Sequence, residues 1–320
     1  MFDGIKLSSR ITDFEAWRQT VELDFTSQVD TRTGEVINFS KAKDKKVYKY
    51  FSSYRNYRLV LKEVHFTNES NYLEPSYYLT IRGSLHKSFF GGQNYEFFSW
   101  MDIQEEINTL VNGLKIHPEK TYLRSIELGL NIPVPFNVIR FLESDLLMYR
   151  SSFWNQYRPD NQGVKLGFFC NCAHYDVKLY DKGLQYKLPY DLMRFEVKFK
   201  KMQKLNRMQI ETLADLQNLE RANKLFDLLQ DMWSNVLLWE LNAQSLSKLS
   251  KVDVQLIENG RSPDFWKNLW REKRSKFHNM KKRLGKITNQ QMDTKHHNVQ
   301  NKIKSMKSQI SQMNYTLPLR

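Results

Sequence analysis

Cysteine is almost absent from this chain. Its 320 residues include only Cys170 and Cys172, both in the segment FFCNCAHYD. Residues two apart on a strand point to the same side, so a disulfide between them would be strained and would close almost no loop. A metal site would need more ligands, of which His174 is the obvious local candidate. We therefore expect two reduced thiols, as is typical of a cytoplasmic protein.

Long apolar segments are also missing. No uncharged run has the length that a bilayer-spanning helix needs. The first residues, MFDGIKLSSR, lack the basic segment and following apolar stretch of a secretory signal. We expect a protein that neither enters nor crosses a membrane.

Acidic residues are outnumbered by basic ones. The chain has 49 Lys and Arg against 35 Asp and Glu, a net charge of +14 and a pI of about 9.5. This excess favours a polyanionic partner, above all nucleic acid. Between residues 266 and 307, thirteen Lys or Arg accompany only Glu272 and Asp293. A charge run is often a solvated helix face, but one so one-sided favours phosphate contacts, with Lys281, Lys282 and Arg283 as candidates.

The pattern of apolar residues changes at about residue 200. Before it, aromatic and β-branched residues between polar breaks predict strands. Two helices are predicted there, SWMDIQEEINTLVNGL with Ser99 or Asp102 as its cap, and PFNVIRFLESDLLMYR. After it, the long segment from Leu205 to Leu241 and a segment starting at Ser262 show helical spacing.

We therefore predict an α+β fold in two parts. Residues 1–200 would form a mixed domain with a mainly antiparallel, curved β-sheet and flanking helices. Residues 201–320 would form an all-helical, basic region.

Three segments alternate strictly between apolar and polar residues, which is typical of strands with one buried face. They are LRSIELGLNI (123–132), HYDVKLYDK (174–182) and LMRFEVKF (192–199). If they lie in one sheet over one core, their polar faces coincide. A solvated sheet face with cross-strand ion pairs would give the same pattern. The shared face would carry Glu127, Asn131, Tyr180, Lys182, Arg194 and Glu196.

The residue types on this face favour chemistry. Two carboxylates can hold a hard divalent cation, with Asn131 or water completing the oxygen shell. Lys178 and Lys182 flank Tyr180 and could lower its pKa from ~10, which would make it a usable nucleophile. Arg194 and the lysines could neutralise a phosphate. Together these groups would suit metal-assisted phosphoryl transfer to a tyrosine.

The same segments resemble the motifs of rolling-circle replication initiators. LRSIELGLNI is similar to their TRIDLAxD strand, VKLYDK to IRIYDK, and LMRFEVKF to LRFELxL, in the same order. Upstream, IRGSLHKSFFGGQNYEFF resembles the GS-x-x-K…G-x-N segment of the gene II-type initiators of filamentous phages. The resemblance, which includes the trans-acting plasmid initiators, covers roughly residues 78 to 199.

This resemblance implies a site-specific and strand-specific DNA endonuclease and ligase. Tyr180 would attack a scissile phosphate in the origin, forming a 5′-phosphotyrosine link and freeing a 3′-hydroxyl, and the displaced strand would later be rejoined. Residues 1–200 would nick the origin and residues 201–320 would bind DNA. Mg²⁺ or Mn²⁺ is the implied cofactor. The implied partners are origin DNA, a host polymerase and helicase, and a second copy of the chain, in a bacterial cytoplasm.

The resemblance also implies a role for individual residues. Lys182 would stabilise the phenolate or the charge of the transition state. Glu127 and Glu196 would hold the metal, and Asn131 stands where the pattern usually has aspartate. Tyr186 remains open as a second nucleophile. The implied DNA contacts are Arg194, Lys178, Lys87 and Asn94, joined by Lys281, Lys282 and Arg283 of the basic region.

A His-hydrophobic-His metal motif, common among related nicking enzymes, is missing from this chain. His86, in SLHKS, would share a strand face with Ser84 and Arg82 and so could contact the metal or DNA. A lone strand histidine is more often structural or solvated.

Two other functions stay open. The chain could be a non-enzymatic DNA-binding initiator, with a helix-turn-helix in QIETLADLQNLERANKLF. It could also bind single-stranded nucleic acid through the aromatic residues of VYKYFSSYRNYR, although these would equally suit a sheet core. Nicking that depends on Tyr180 would separate the enzyme from both binding proteins.

Overall fold

The chain forms two compact units, each made of two segments. The computed structural model describes residues 2–68, 71–72, 74–159, 163–240, 249–289 and 294–312. Unit 1 comprises Met1–Gly129 and Lys198–Lys224, and unit 2 comprises Leu130–Val197 and Leu225–Arg320. The predicted functional division at about residue 200 stays a prediction.

The described residues confirm the α+β class, with antiparallel strands first and mostly helices after residue 200. The strands are β1 (Phe2–Ile11), β2 (Thr26–Ser27), β3 (Lys45–Tyr54), β4 (Tyr57–Asn68), β5 (Asn71–Tyr72), β6 (Ser76–Ser84), β7 (Thr121–Pro133), β8 (Leu146–Tyr149), β9 (Ser152–Phe153), β10 (Asn155–Tyr157), β11 (Gly167–Asn171), β12 (Tyr175–Asp181), β13 (Leu192–Phe199) and β14 (Val236–Leu238). The helices are α1 (Phe14–Thr20), α2 (Leu85–Phe89), α3 (Trp100–Leu114), α4 (Val138–Ser144), α5 (Lys182–Tyr186), α6 (Gln203–Asn206), α7 (Leu219–Ser234), α8 (Lys251–Gly260), α9 (Pro263–Glu272), α10 (Arg274–Asn289) and α11 (Lys295–Gln312).

Unit 1 is built on an antiparallel sheet. Its strands follow the order β7-β1-β6-β4-β3-β2, with β5 beside β4 and β13 as the other neighbour of β7. Alternate residues of the central strands are buried, among them Leu7, Leu59 and Ile81. Helix α3 adds its apolar stripe, and the predicted cap is confirmed: Ser99 and Asp102 form a reciprocal capping box.

Unit 2 includes β7 from Leu130 onward and β13 up to Val197. Its strands follow the order β10-β11-β12-β13-β7, and α4 lies against β11 and β12. A separate three-stranded sheet has the order β14-β8-β9.

Two predicted helices are shorter than expected. Helix α4 ends at Ser144, and the following LLMY forms β8. Similarly, VLL at 236–238 forms β14 instead of extending α7. These two short apolar runs pair with each other, and β14 is buried throughout. Pairing with a distant segment therefore overrides the local helical spacing in both places.

The C-terminal helices of unit 2 pack on their own apolar cluster. Trp266, Phe277 and Leu284 are fully buried there, and the Trp266 indole donates to the Gly260 carbonyl at 2.7 Å. The predicted helix from Ser262 divides at Lys273, whose φ of −142° and ψ of 68° are not helical. No helix among the described residues is long and apolar enough to cross a membrane.

Candidate active site

An irregularity in β1 shapes the acidic part of unit 1. The β1–β7 register shifts between Phe2 and Ile5, so that Asp3 and Gly4 together stand opposite Glu127. Phe2 and Asp3 are both buried, although a regular strand would turn one of them outward. A β-bulge of this kind re-aims a side chain, and such bulges are frequent beside active sites.

Gly4 lets the Glu127 side chain lie close to β1. A Cβ atom at Gly4 would lie 2.7 Å from Glu127 Oε2 and 2.8 Å from its carboxyl carbon. Glu127 Oε1 accepts a hydrogen bond from Lys198 Nζ at 2.5 Å, and the Glu127 side chain is 19% exposed. The carboxylate is thus held between β1 and a lysine of β13, within unit 1.

Asp3 is fixed by two residues of the GS-x-x-K…G-x-N segment. The Ser84 hydroxyl donates to Asp3 Oδ1, and Asn94 Nδ2 donates to Asp3 Oδ2 at 2.7 Å. Ser84 is also the N-cap of α2, since its hydroxyl accepts from the Lys87 backbone N–H. Asp3 is not among the residues predicted from the sequence. The Asp-Gly pair in an otherwise alternating strand was the available signal.

Other residues of that segment lie elsewhere than expected. His86 is in helix α2 and not on a strand, because β6 ends at Ser84. It is buried, and its ring stacks on Phe98 at 4.8 Å. Lys87 is exposed. Asn94 is buried against Asp3. DNA contact by these residues stays a prediction.

In unit 2, the Glu196 carboxylate collects three donors. Lys178 Nζ lies 2.8 Å from Oε1, while Arg194 Nε lies 3.1 Å and the Tyr180 hydroxyl 3.2 Å from Oε2. Glu196 and Arg194 are both buried. A buried charge costs free energy unless it is paired and hydrogen-bonded, as this carboxylate is. Residues 194 and 196 therefore do not form the solvated sheet face that alternation alone would allow.

Tyr180 is buried, at 4% exposure, and points to Glu196. Its ring centre lies 5.2 Å from that of Tyr157 and 5.5 Å from Lys182 Nζ. A phenol that donates to a paired carboxylate has the geometry of a nucleophile beside a general base.

Lys182 reaches Tyr180 from a helix. The Asp181 carboxylate accepts from the Leu184 backbone N–H at 2.7 Å, which ends β12 and starts α5. The predicted strand position of Lys182 is therefore wrong, although its ammonium still lies beside Tyr180. The same ammonium lies 4.8 Å from the Tyr186 ring centre, so one cation serves two tyrosines.

Asn131 contacts the arginine of this cluster. Its side-chain oxygen accepts from Arg194 Nη1 at 2.7 Å. This bond positions Arg194, and metal ligation by Asn131 stays a prediction. The Tyr175 hydroxyl lies 3.3 Å from the Tyr149 hydroxyl, and burial raises the Tyr175 pKa.

The three basic candidates of α10 differ in their surroundings. Arg283 donates to Asp253, and this hydrogen bond raises the Arg283 pKa. Lys281 is partly buried, and burial followed by nearby Arg150 lowers its pKa. Lys282 is exposed. Residues 290–293 of the basic region lie outside the described residues.

In unit 1, Asp3 and Glu127 offer ligand oxygens that lie within 4.8 Å of each other. Carboxylate oxygens are the ligands that Mg²⁺ and Mn²⁺ prefer. Metal ligation by Glu196 of unit 2 stays a prediction. This donor set fits the expected class of cofactor, and the identity of the ion stays a prediction.

Comparison with known proteins gives little. No protein-family model matches the chain, and no curated protein matches its sequence. A rolling circle replication initiator protein from Geobacillus stearothermophilus has a TM-score of 0.36 and 8% sequence identity, over 76% of this chain and 86% of that chain. A TM-score this low does not establish a shared fold.

Proposed function

We propose that the chain is a rolling-circle replication initiator that nicks and rejoins one DNA strand through Tyr180. The observation that carries the proposal is the hydrogen bond from the Tyr180 hydroxyl to Glu196, a carboxylate that Arg194 and Lys178 also bind. This cluster lies on the strands whose sequences resemble those of such initiators.

In the proposed step the Tyr180 oxygen attacks the phosphorus of a phosphodiester. The phenolic proton passes to Glu196, a bond forms between Tyr180 Oη and phosphorus, and the bond from phosphorus to the 3′-oxygen breaks. The leaving 3′-oxygen takes up a proton and becomes a hydroxyl. Rejoining is the reverse, with the 3′-hydroxyl as the attacking group. No oxidant or nucleotide triphosphate is consumed.

The cations have separate roles in this proposal. Arg194 and Lys178 orient the Glu196 carboxylate through their hydrogen bonds, so that one of its oxygens faces the Tyr180 hydroxyl as proton acceptor. Lys182, beside the Tyr180 ring, stabilises negative charge on the phenolate oxygen or on the phosphate. Its position beside Tyr186 as well supports that residue as the candidate for a second attack during rejoining.

Asp3 and Glu127 would hold one Mg²⁺ or Mn²⁺, and the resemblance implies Glu196 as a further ligand. A carboxylate has about four lone-pair positions, so the hydrogen bonds to these groups leave room for a metal bond. When bound, the ion would polarise the phosphate and stabilise its added charge. Ser84 and Asn94 then act as positioning residues because they orient Asp3.

The excess of basic residues supports a DNA-binding role for the helical region. The basic helical region would hold origin DNA, while residues 1–200 would cut it. A host polymerase would extend the free 3′-hydroxyl, a helicase would open the duplex, and a second copy of the chain would act as partner.

Replacing Tyr180 by Phe tests the chemistry. We expect Tyr180→Phe to bind a cognate origin plasmid normally and to leave it supercoiled, because it lacks the attacking oxygen. Tyr175→Phe is the matched control on the same strand, and it should still nick. Mass spectrometry should find wild-type protein linked covalently through Tyr180 to a single-stranded origin oligonucleotide.

Two results would reject the enzyme. One is nicking by Tyr180→Phe at the wild-type rate, which would remove Tyr180 from the chemistry. The other is origin binding by the wild-type protein with neither nicking nor adduct in the presence of Mg²⁺ and Mn²⁺, which would favour a DNA-binding initiator without catalytic activity. Loss of nicking in Tyr186→Phe alone would transfer the role to that residue.

A further inference from the structure

A cavity of about 620 Å³ lies within unit 2, between β14 and helices α10 and α11. This volume exceeds what one phosphate needs and lies in the range of small-ligand sites. Three lysines line it, Lys281, Lys282 and Lys286, together with polar residues that include His278, His297 and Asn235.

Three lysines of α10 give the cavity its charge. Lys281, Lys282 and Lys286 lie within six consecutive residues of α10, about one and a half turns, and all line the cavity. Among the described residues, none of the three forms an ion pair with a carboxylate. The neighbouring Arg283 is different, since it does not line the cavity and is paired with Asp253.

The acidic residue of the described lining does not neutralise these lysines. Both oxygens of Glu240 accept backbone N–H groups, from Lys295 and His296 at the start of α11. Its negative charge is therefore directed at the helix N-terminus, where it is stabilised. The excess positive charge of the cavity is left without a counterpart among the described side chains.

The surroundings of Lys281 disfavour the charged form of its side chain. Its ammonium is partly buried and lies near Arg150, and both effects lower the Lys281 pKa. An anion in the cavity would restore the solvation that burial removes and would offset the repulsion. A phosphate suits this arrangement because three ammonium groups converge on one volume.

We propose that this cavity binds a nucleotide through its phosphate, as one unit of a DNA single strand. The volume leaves space for a sugar and base next to the phosphate, with Asn235 and His297 as polar contacts. The inference deepens the proposed function, because it assigns part of the DNA strand a site distinct from Tyr180. Within the basic region, this proposal assigns DNA binding to Lys281, Lys282 and Lys286 and not to Arg283.

The test compares two variants of equal charge. Lys281→Gln, Lys282→Gln and Lys286→Gln together remove the cavity lysines. Lys273→Gln, Lys276→Gln and Lys304→Gln together remove three exposed lysines outside the cavity. Both are made in the full chain carrying Tyr180→Phe, so that no strand is cut. The probe is a fluorescein-labelled oligothymidylate, and anisotropy gives its affinity across a salt series.

We expect the cavity variant to bind the probe at least about tenfold more weakly than the control variant. The slope of affinity against salt should fall by about 0.7, because the cavity is proposed to neutralise one phosphate of the single strand. Lys282→Gln with Lys286→Gln, both exposed, provides a second variant that does not disturb a buried group. Circular dichroism and thermal unfolding confirm that each variant is folded.

The source of the phosphate is resolved by competition. If thymidine monophosphate displaces the probe and inorganic phosphate at the same concentration does not, the cavity is a nucleotide site that also binds free nucleotides. Displacement by unlabelled oligothymidylate alone would support a strand site. The proposed nucleotide site would be rejected if both triple variants lost the same affinity for the probe. It would also be rejected if heparin displaced the probe as well as the unlabelled oligothymidylate does. Failure of nicking with cavity binding intact would reject only the proposed enzyme.

Discussion

At the residue scale, Gly4 is the position whose replacement tests the acidic site most directly. A methyl group there would lie within 3 Å of the Glu127 carboxylate. Glu127 can move, since its far end is flexible, so the chain should still fold. We expect Gly4→Ala to lower the nicking rate about 100-fold, the cost of displacing a positioned group by about 1 Å. The free energy of unfolding should change by less than about 1 kcal/mol.

Nicking and unfolding are measured on the same preparations. Gly91→Ala is unsuitable as a control because its positive φ would strain alanine. Ser8→Ala, on β1 but four residues beyond Gly4 and paired with Tyr122 instead of Glu127, is a better one and should nick normally. Normal nicking by Gly4→Ala would show that the Glu127 position near β1 is irrelevant to catalysis.

The sequence predicted part of this site for a clear reason. Glu127, Tyr180 and Glu196 follow from strand alternation, which needs no knowledge of distant contacts. Asp3 could not be found in that way, because a bulge interrupts the alternation at its position. Lys182 was expected on the strand, but the Asp181 cap turns the chain into α5 one residue earlier.

At the element scale, two helical glycines should respond oppositely to alanine. Gly285 in α10 has open space where a Cβ would lie, whereas a Cβ on Gly113 in α3 would lie 2.0 Å from the Tyr54 hydroxyl. Gly285→Ala should raise the free energy of unfolding by about 0.5–1 kcal/mol, since alanine favours helix. Gly113→Ala should lower it by about 1–3 kcal/mol through overpacking.

Urea unfolding followed by circular dichroism measures both changes. Tyr54→Leu combined with Gly113→Ala is the informative control, because leucine removes both the hydroxyl and the ring carbons that the new methyl would strike. This double variant should recover part of the lost stability. Destabilisation by both single glycine variants would contradict the assignment of open space around Gly285.

Element boundaries were predictable only where local signals suffice. Helix α3 was found because Ser99 and Asp102 form its capping box. The ends of α4 and α7 were not found, because LLMY and VLL satisfy helical spacing as well as strand spacing. Their conversion to strands depends on pairing between segments far apart in sequence. The break at Lys273 had no glycine or proline to mark it.

At the scale of the whole molecule, charge is the property that the sequence predicts best. A net charge of +14 indicates a polyanionic partner whatever the fold. It does not reveal which lysines meet that partner. Arg283 and Lys282 are adjacent in sequence, yet one is paired with Asp253 and the other lines a cavity. Only the placement of α8 and α10 separates them.

Metal binding should appear as increased stability of the whole chain. An ion that binds the folded chain alone raises the free energy of unfolding, by about 2.7 kcal/mol when its free concentration is a hundred times Kd. We therefore expect Mg²⁺ or Mn²⁺ to raise the melting temperature, and EDTA to reverse the change. Glu127→Gln should abolish this increase because it removes a charged ligand, whereas Glu119→Gln, an exposed acid of the same unit, should keep it. Equal increases in both variants would show that the ions act elsewhere, and would remove the metal from the site without removing Tyr180.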